Sequence, residues 1–263
     1  MKRSTGLLLA LIVVVAGGAA LVVHFSTQQA PPAPPPPAPQ AVATPAPVPS
    51  APVAPVGKGS LSGVVMLTGT PPVMEPLKRG ADPACRNPMN DEWALVKDGR
   101  IENAYVHIKG GPNAPGPTAA VEVDQKDCMY RPRVQGAVAG QDVTIRNTDA
   151  TLHNVHAYGG AKTLFNRAQP PKSAPLDEKL NAGDVVKFKC DVHPWMTGYV
   201  LVNNNPWFAV TGADGSFQIK DVPAGTYTLE TWHERFGTKT QTVTVAPDQK
   251  ASANFTYSAD DRG

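Results

Sequence analysis

The chain has 263 residues, with 24 Lys and Arg against 22 Asp and Glu, a formal net charge of +2. So even a balance gives no electrostatic footprint for nucleic acid or an anionic surface. With the N-terminal segment and a proline-rich tract set aside, about two hundred residues remain, enough for one large or two small domains with cores of their own.

In chain order, Lys2 and Arg3 precede an apolar run from Leu7 to Val23. A cleaved signal peptide needs an apolar core of about 7–15 residues and a small-residue cleavage site, whereas a spanning helix needs about 17–25 residues. The run meets the second requirement and no sharp cleavage site follows it, so residues 1–25 are expected to be an uncleaved anchor rather than a signal peptide. The basic start then stays in the cytoplasm. The body of the chain is placed on the periplasmic, extracytoplasmic side, where disulfides form. Residues 26–57 are almost wholly Ala, Pro, Val, Ser, Thr and Gln. They cannot bury a core and are expected to be a linker, either a semi-rigid polyproline spacer or a disordered one with no defined reach.

From Gly59 onward the signals are those of short strands, with no long helical period, which predicts an all-β fold with sandwich architecture. Ser60 to Leu67 is the first strand. Met74 to Asn90 has no period and reads as a long connection containing Cys85. Trp93 to Val96, a turn at Asp98-Gly99, and Ile101 to Ile108 predict a hairpin. Val121 and Val123 alternate with charges, and Val134 to Val138 and Gln141 to Asn147 read as further strands. After Trp207, Phe208 to Val210 and Phe217–Ile219 flank the turn Asp214-Gly215 and predict another hairpin. Tyr227–Leu229, Val243–Val245 and Phe255–Tyr257 then predict a small second sandwich.

The chemistry is concentrated in Asp184 to Met196. Val186, Phe188 and Cys190 share one strand parity, and Lys187 and Lys189 take the other, so Cys190 points inward with the apolar set. His193 and Met196 follow within a short loop. A further imidazole comes from upstream, His153, while His156 has the opposite parity and is expected to face outward. One Cys, two His and one Met are the donor set of a blue-copper electron-transfer site. Zinc is the chemical rival but rarely uses Met. Asn154 is placed to hydrogen-bond between the two ligand loops and fix their spacing. If Cys190 binds a metal, Cys85 and Cys128 remain as a disulfide pair. No Cys-x-x-Cys-His stretch is present for a covalent haem. His107 is read as a surface strand residue, and His233-Glu234 as a structural hydrogen-bonded pair rather than a second metal or proton site.

The segment Cys190-Asp191-Val192-His193-Pro194-Trp195-Met196, together with His153-Asn154-Val155-His156, resembles the ligand segments of amicyanin and plastocyanin-like cupredoxins. The resemblance implies a Greek-key β-sandwich over residues 58–202 with a type-1 copper cycling between Cu(II) and Cu(I). It makes His153, Cys190 and His193 the equatorial ligands and Met196 the weak axial one. It also makes the His193 edge the electron port, with Pro194 and Trp195 in an apolar docking patch around it. The implied function is a non-enzymatic shuttle of single electrons between redox proteins, such as a c-type cytochrome or a dehydrogenase. Residues 203–258, from Ala209-Val210-Thr211-Gly212-Ala213-Asp214-Gly215 to Val222-Pro223-Ala224-Gly225-Thr226-Tyr227, resemble the carboxypeptidase regulatory-like, transthyretin-like sandwich, which implies a non-catalytic module before a short tail at 259–263. A copper carrier or store, and a non-redox adaptor, are the alternative functions.

Overall fold

The computed structural model describes residues 57–181, 183 and 185–263; the expected anchor and nearly all of the linker lie outside them. None of the described helices is long and apolar enough to cross a membrane. The described chain is all-β: its single helical element is a 3-10 turn, Pro83–Cys85. The strands before the ligand region are β1 (Lys58–Thr68), β2 (Val96–Lys97), β3 (Arg100–Ile101), β4 (Tyr105–Lys109), β5 (Val121–Lys126), β6 (Met129–Arg131), β7 (Val134–Val138) and β8 (Asp142–Asn147). The ligand region contributes β9 (His153–Gly159), β10 (Lys162–Gln169), β11 (Leu176–Lys179), β12 (Val185–Lys189) and β13 (Thr197–Asn203). The remainder is β14 (Phe208–Val210), β15 (Ser216–Pro223), β16 (Gly225–His233), β17 (Gly237–Val245), β18 (Lys250–Ser252) and β19 (Phe255–Ser258).

These strands form two layered units. In the first, a sheet of order β10-β9-β12-β13-β7 faces one of order β11-β8-β5-β6. Their shared core includes Val123, Ile145, Val155, Phe188 and Cys190. In the second, β15-β1-β3-β2, with β18 and β19 paired parallel to β1, faces β14-β4-β16-β17. Leu61, Ile101, Phe217, Leu229 and Tyr257 fill that core.

This partition corrects the expected boundary between residues 58–202 and 203–258. Strands β1 to β4 precede the candidate ligand segments in sequence but complete the C-terminal unit, because β1 pairs with β15 and β4 with β14 and β16. The expected hairpin about Asp214-Gly215 is corrected for the same reason: β14 and β15 belong to different sheets, and the turn carries the chain between layers. The turn at Asp98-Gly99 does form, with both residues at positive φ (50° and 71°), as a two-residue hairpin requires. The strand expected from Ile101 to Ile108 is interrupted between β3 and β4.

The two units meet through a third cluster, Tyr105, Val134, Tyr199 and Leu201, packed against Phe208 and Trp232. Gly136 sits beneath two of these rings: a Cβ there would fall 2.4 Å from Phe208 and 2.7 Å from Tyr105. A buried ion pair completes the joint. The Arg133 guanidinium donates two hydrogen bonds to the Glu234 carboxylate, at 2.5 and 2.9 Å. The pairing expected between His233 and Glu234 is therefore replaced: Glu234 goes to Arg133, while His233 accepts from the Arg235 N–H. His107, expected at the surface, is half-buried with its Nε2 3.1 Å from Glu230.

Removing one partner of a buried, bidentate ion pair leaves the other uncompensated. Glu234→Gln is expected to cost about 3–5 kcal/mol, read as a lower urea midpoint. Double replacement of Arg133 and Glu234 by apolar residues should cost markedly less.

Candidate metal centre

Strand β12 delivers the thiol. It lies between β9 and β13, with Lys189 registered against His156 on one side and Thr197 on the other. Its alternation buries Val186, Phe188 and Cys190. The chain then turns through residues 191–195, closed by a hydrogen bond from the Met196 N–H to the His193 carbonyl at 2.9 Å. The Lys189 ammonium folds over the turn to the Pro194 carbonyl at 2.6 Å. His153 opens β9, so the two ligand-bearing segments lie side by side. Two buried groups fasten them. The Tyr130 hydroxyl lies 2.9 Å from the Asn154 carbonyl and 3.0 Å from that of Lys189, and shares its proton between them. The Asn154 side chain accepts from the Asp191 N–H at 2.7 Å and donates to the Asp191 carboxylate at 2.9 Å. Asn154 thus spans the two loops.

Three donor atoms converge. His153 Nδ1 and His193 Nδ1 are 2.9 Å apart, and Cys190 Sγ lies 3.9 and 3.8 Å from them. The residues are only 0, 1 and 2 % exposed for His153, Cys190 and His193. An ion bonded at about 2.0–2.1 Å to nitrogen and about 2.3 Å to sulfur fits within such a triangle. This set could therefore hold a metal ion. Met196 is fully buried in the same core as Cys190. His156 is turned away: its Nδ1 lies 3.0 Å from the Asp191 carboxylate and its ring stacks on Tyr158.

Each of the two imidazoles presents Nδ1 inward because its Nε2 is held by a carboxylate. Asp149 Oδ2 is 2.9 Å from His153 Nε2, and Asp82 Oδ2 is 3.0 Å from His193 Nε2. Asp149 is fixed in turn by the N–H groups of Asp127 and Cys128, each at 2.8 Å, which project together because both residues have positive φ in the β5–β6 turn. Asp82 accepts from Thr151 Oγ1 at 2.6 Å and from the Ala84 N–H at 2.8 Å. Cys85 and Cys128 form a disulfide that joins the two carboxylate-bearing regions, and Cys85 Sγ lies 3.6 Å from His193 Nε2.

Two expectations about the rim need correction. His193 is not an exposed edge, because Asp82 and Cys85 cover its outer nitrogen. Trp195 is half-buried rather than an open docking surface: its ring lies 5.1 Å from that of His193 and its Nε1–H donates to the Cys128 carbonyl. Pro194 is exposed. Asp82 and Asp149 escaped sequence reasoning. Asp149 precedes His153 by four residues, a spacing that hints at contact, but Asp82 stands 111 residues from His193 and nothing local marks it.

The electrostatics follow from these contacts. Burial disfavours a charged His153, but the Asp149 carboxylate and the Cys190 sulfur outweigh it and push the pKa up to about 9. Burial holds His193 below its usual value despite Asp82. Burial would raise Cys190, but hydrogen bonds from His153 and from the backbone N–H groups of Asn154, His193 and Val192 bring it below the ordinary thiol value. Either nitrogen could donate across the 2.9 Å contact, and the raised His153 pKa favours donation from His153.

Residues 199–258 match the carboxypeptidase regulatory-like domain family. The match runs from β13 to β19 and omits β1 to β4 of the same layered unit. No curated protein matches the chain. Among solved structures, it is similar to a purple cupredoxin from Nitrosopumilus maritimus, at 23% identity over 32% of this chain and 99% of that one, TM-score 0.29. Amicyanin from Paracoccus versutus is 24% identical over 37% of this chain and 97% of that one, TM-score 0.29. An oxidised amicyanin mutant is 29% identical over 32% and 82%, TM-score 0.28.

A cation at the centre would compete with a proton for the same imidazole nitrogens, so uptake should release one. A raised histidine pKa stabilises the metal-free fold below the unfolded value, an effect lost as pH rises through about 9. Metal affinity runs the opposite way. It should rise by about tenfold per pH unit toward pH 9 on account of His153, measurable by competition titration. His153→Gln should flatten this slope as well as weaken binding.

Proposed function

We propose that the chain is a type-1 copper electron-transfer protein. The observation that carries the reading is the convergence of one thiol and two imidazole nitrogens in a site from which solvent is nearly excluded. Cys190, His153 and His193 would hold the ion, with buried Met196 as the weak fourth donor. Bound copper would supply a one-electron couple. The chain's residues do the rest. Asp82 and Asp149 fix which nitrogen of each imidazole faces inward. Asn154 and Tyr130 hold the ligand strands at fixed separation, so the donor triangle resists change when charge is gained or lost. Val155, Phe188 and Trp195 keep water out.

The donor and acceptor would be redox proteins met in small, transient encounters, on the periplasmic side, with the N-terminal run as tether and the linker as spacer. A site for handing metal from protein to protein would need ligands within a partner's reach, and the burial of all three donors favours electron transfer over a copper carrier or store.

The test is spectroscopic. The protein loaded with Cu(II) should show an intense thiolate-to-metal charge-transfer band and a reversible one-electron couple. Cys190→Ser should abolish both. Met196→Leu should keep the band and raise the potential, because losing a donor favours the less charged Cu(I). A protein that binds Cu(I) tightly but stays colourless with Cu(II) would rule the proposal out.

A further inference from the structure

The imidazole of His193 stands between the centre and a short strap. Its Nδ1 faces Cys190 and its Nε2 faces Asp82 and Cys85. The strap belongs to the long connection between β1 and β2, where regular structure is limited to one isolated bridge, Pro76 with Asn90, and the 3-10 turn. From Ala81 to Pro88 every side chain is exposed or half-exposed except Cys85, which is fully buried. The strap therefore has almost no apolar adhesion of its own. It is held by the Cys85–Cys128 disulfide and by the polar contacts of Asp82 with Thr151 and His193. Upstream, the Arg79 guanidinium donates to the carbonyls of Asn87 and Asp127.

We infer that this strap is a fastened cap over the metal centre, with Asp82 positioning His193 and the disulfide setting how often the cap opens. A segment without a core opens locally at a cost set by its few fastenings. With them in place, His193 cannot swing aside and ions cannot pass. With either fastening removed, the imidazole gains freedom and Cys190 becomes reachable, although the ligands are all retained. The inference rests on the reading of this pocket as a metal centre only in its purpose, since access to Cys190 can be measured with no metal present.

The experiment uses the full chain in four forms: the native protein, Asp82→Ala with the disulfide intact, Cys85→Ser/Cys128→Ser, and Glu234→Gln. The last is destabilised at the joint between the two units, makes none of the strap's contacts, and controls for global unfolding. Alkylation of Cys190 by iodoacetamide in metal-free protein is followed by intact mass, at the alkaline plateau where thiol ionisation no longer limits the rate. Both strap variants should react at least about tenfold faster than the native protein, and Glu234→Gln within about twofold. The rate at which a strong chelator strips bound copper should follow the same order. Equal alkylation of native and strap forms, or equal acceleration by Glu234→Gln, overturns the cap. If the native protein takes up no copper, the electron-transfer reading fails while the alkylation result still decides the cap.

Discussion

An imidazole has two nitrogens, and which one meets a cation is decided by what holds the other. Here both outer nitrogens are held by carboxylates, Asp149 for His153 and Asp82 for His193. The donor triangle depends on this constraint. Without the carboxylates either ring could turn, and the close approach of the two Nδ1 atoms would have no support. Neither carboxylate lies in a ligand motif. One is aimed by two N–H groups of the β5–β6 turn, and the other rides on a strap that a disulfide ties to that same turn. The inner geometry is thus set from outside the ligand loop.

The second layered unit serves as the mount. Strand β13 leaves the ligand loop at Thr197 and runs to Asn203, and its outer side chains Tyr199 and Leu201 enter the joint with Phe208 and Trp232. Arg133, just before β7, anchors to Glu234 across the same joint, and its carbonyl accepts the Tyr199 N–H at 2.7 Å. The two strands on one flank of the site are therefore packed against a second core, and the ligand loop departs from a backed surface rather than a free sheet edge.

What was legible in the sequence follows from period and turn chemistry. The inward parity of Cys190, the opposed parity of His153 and His156, and the turn at Asp98-Gly99 are local facts and appear in the structure as such. Strands β10 and β11 were not legible, because their patterns lack an apolar alternation: β10 is polar along most of its length and is held by pairing to β9. Sheet membership was not legible either. The pairing of β1 with β15, β18 and β19 is a choice among edges with similar patterns, decided by the whole core. The cover over His193 was hidden for a third reason. It comes from a connection with no strand or helix period, and the sequence does not show that the disulfide lies against the candidate metal site.

The cover also sharpens the choice between moving electrons and moving metal. An ion would have to pass bodily through the wall of its site, and on the proposed reading the His193 ring, backed by Asp82 and Cys85, forms part of that wall. An electron needs only close approach and a low cost of rearrangement. A cap one side chain thick, over ligands already braced by Tyr130 and Asn154, obstructs the first far more than the second. Leu152 and Val192, each the residue before a ligand histidine, stay 45 and 51 % exposed beside this cap. On the proposed reading, the surface over the centre is covered and still apolar at its rim, a combination that would suit brief contact with a redox partner better than surrender of a metal.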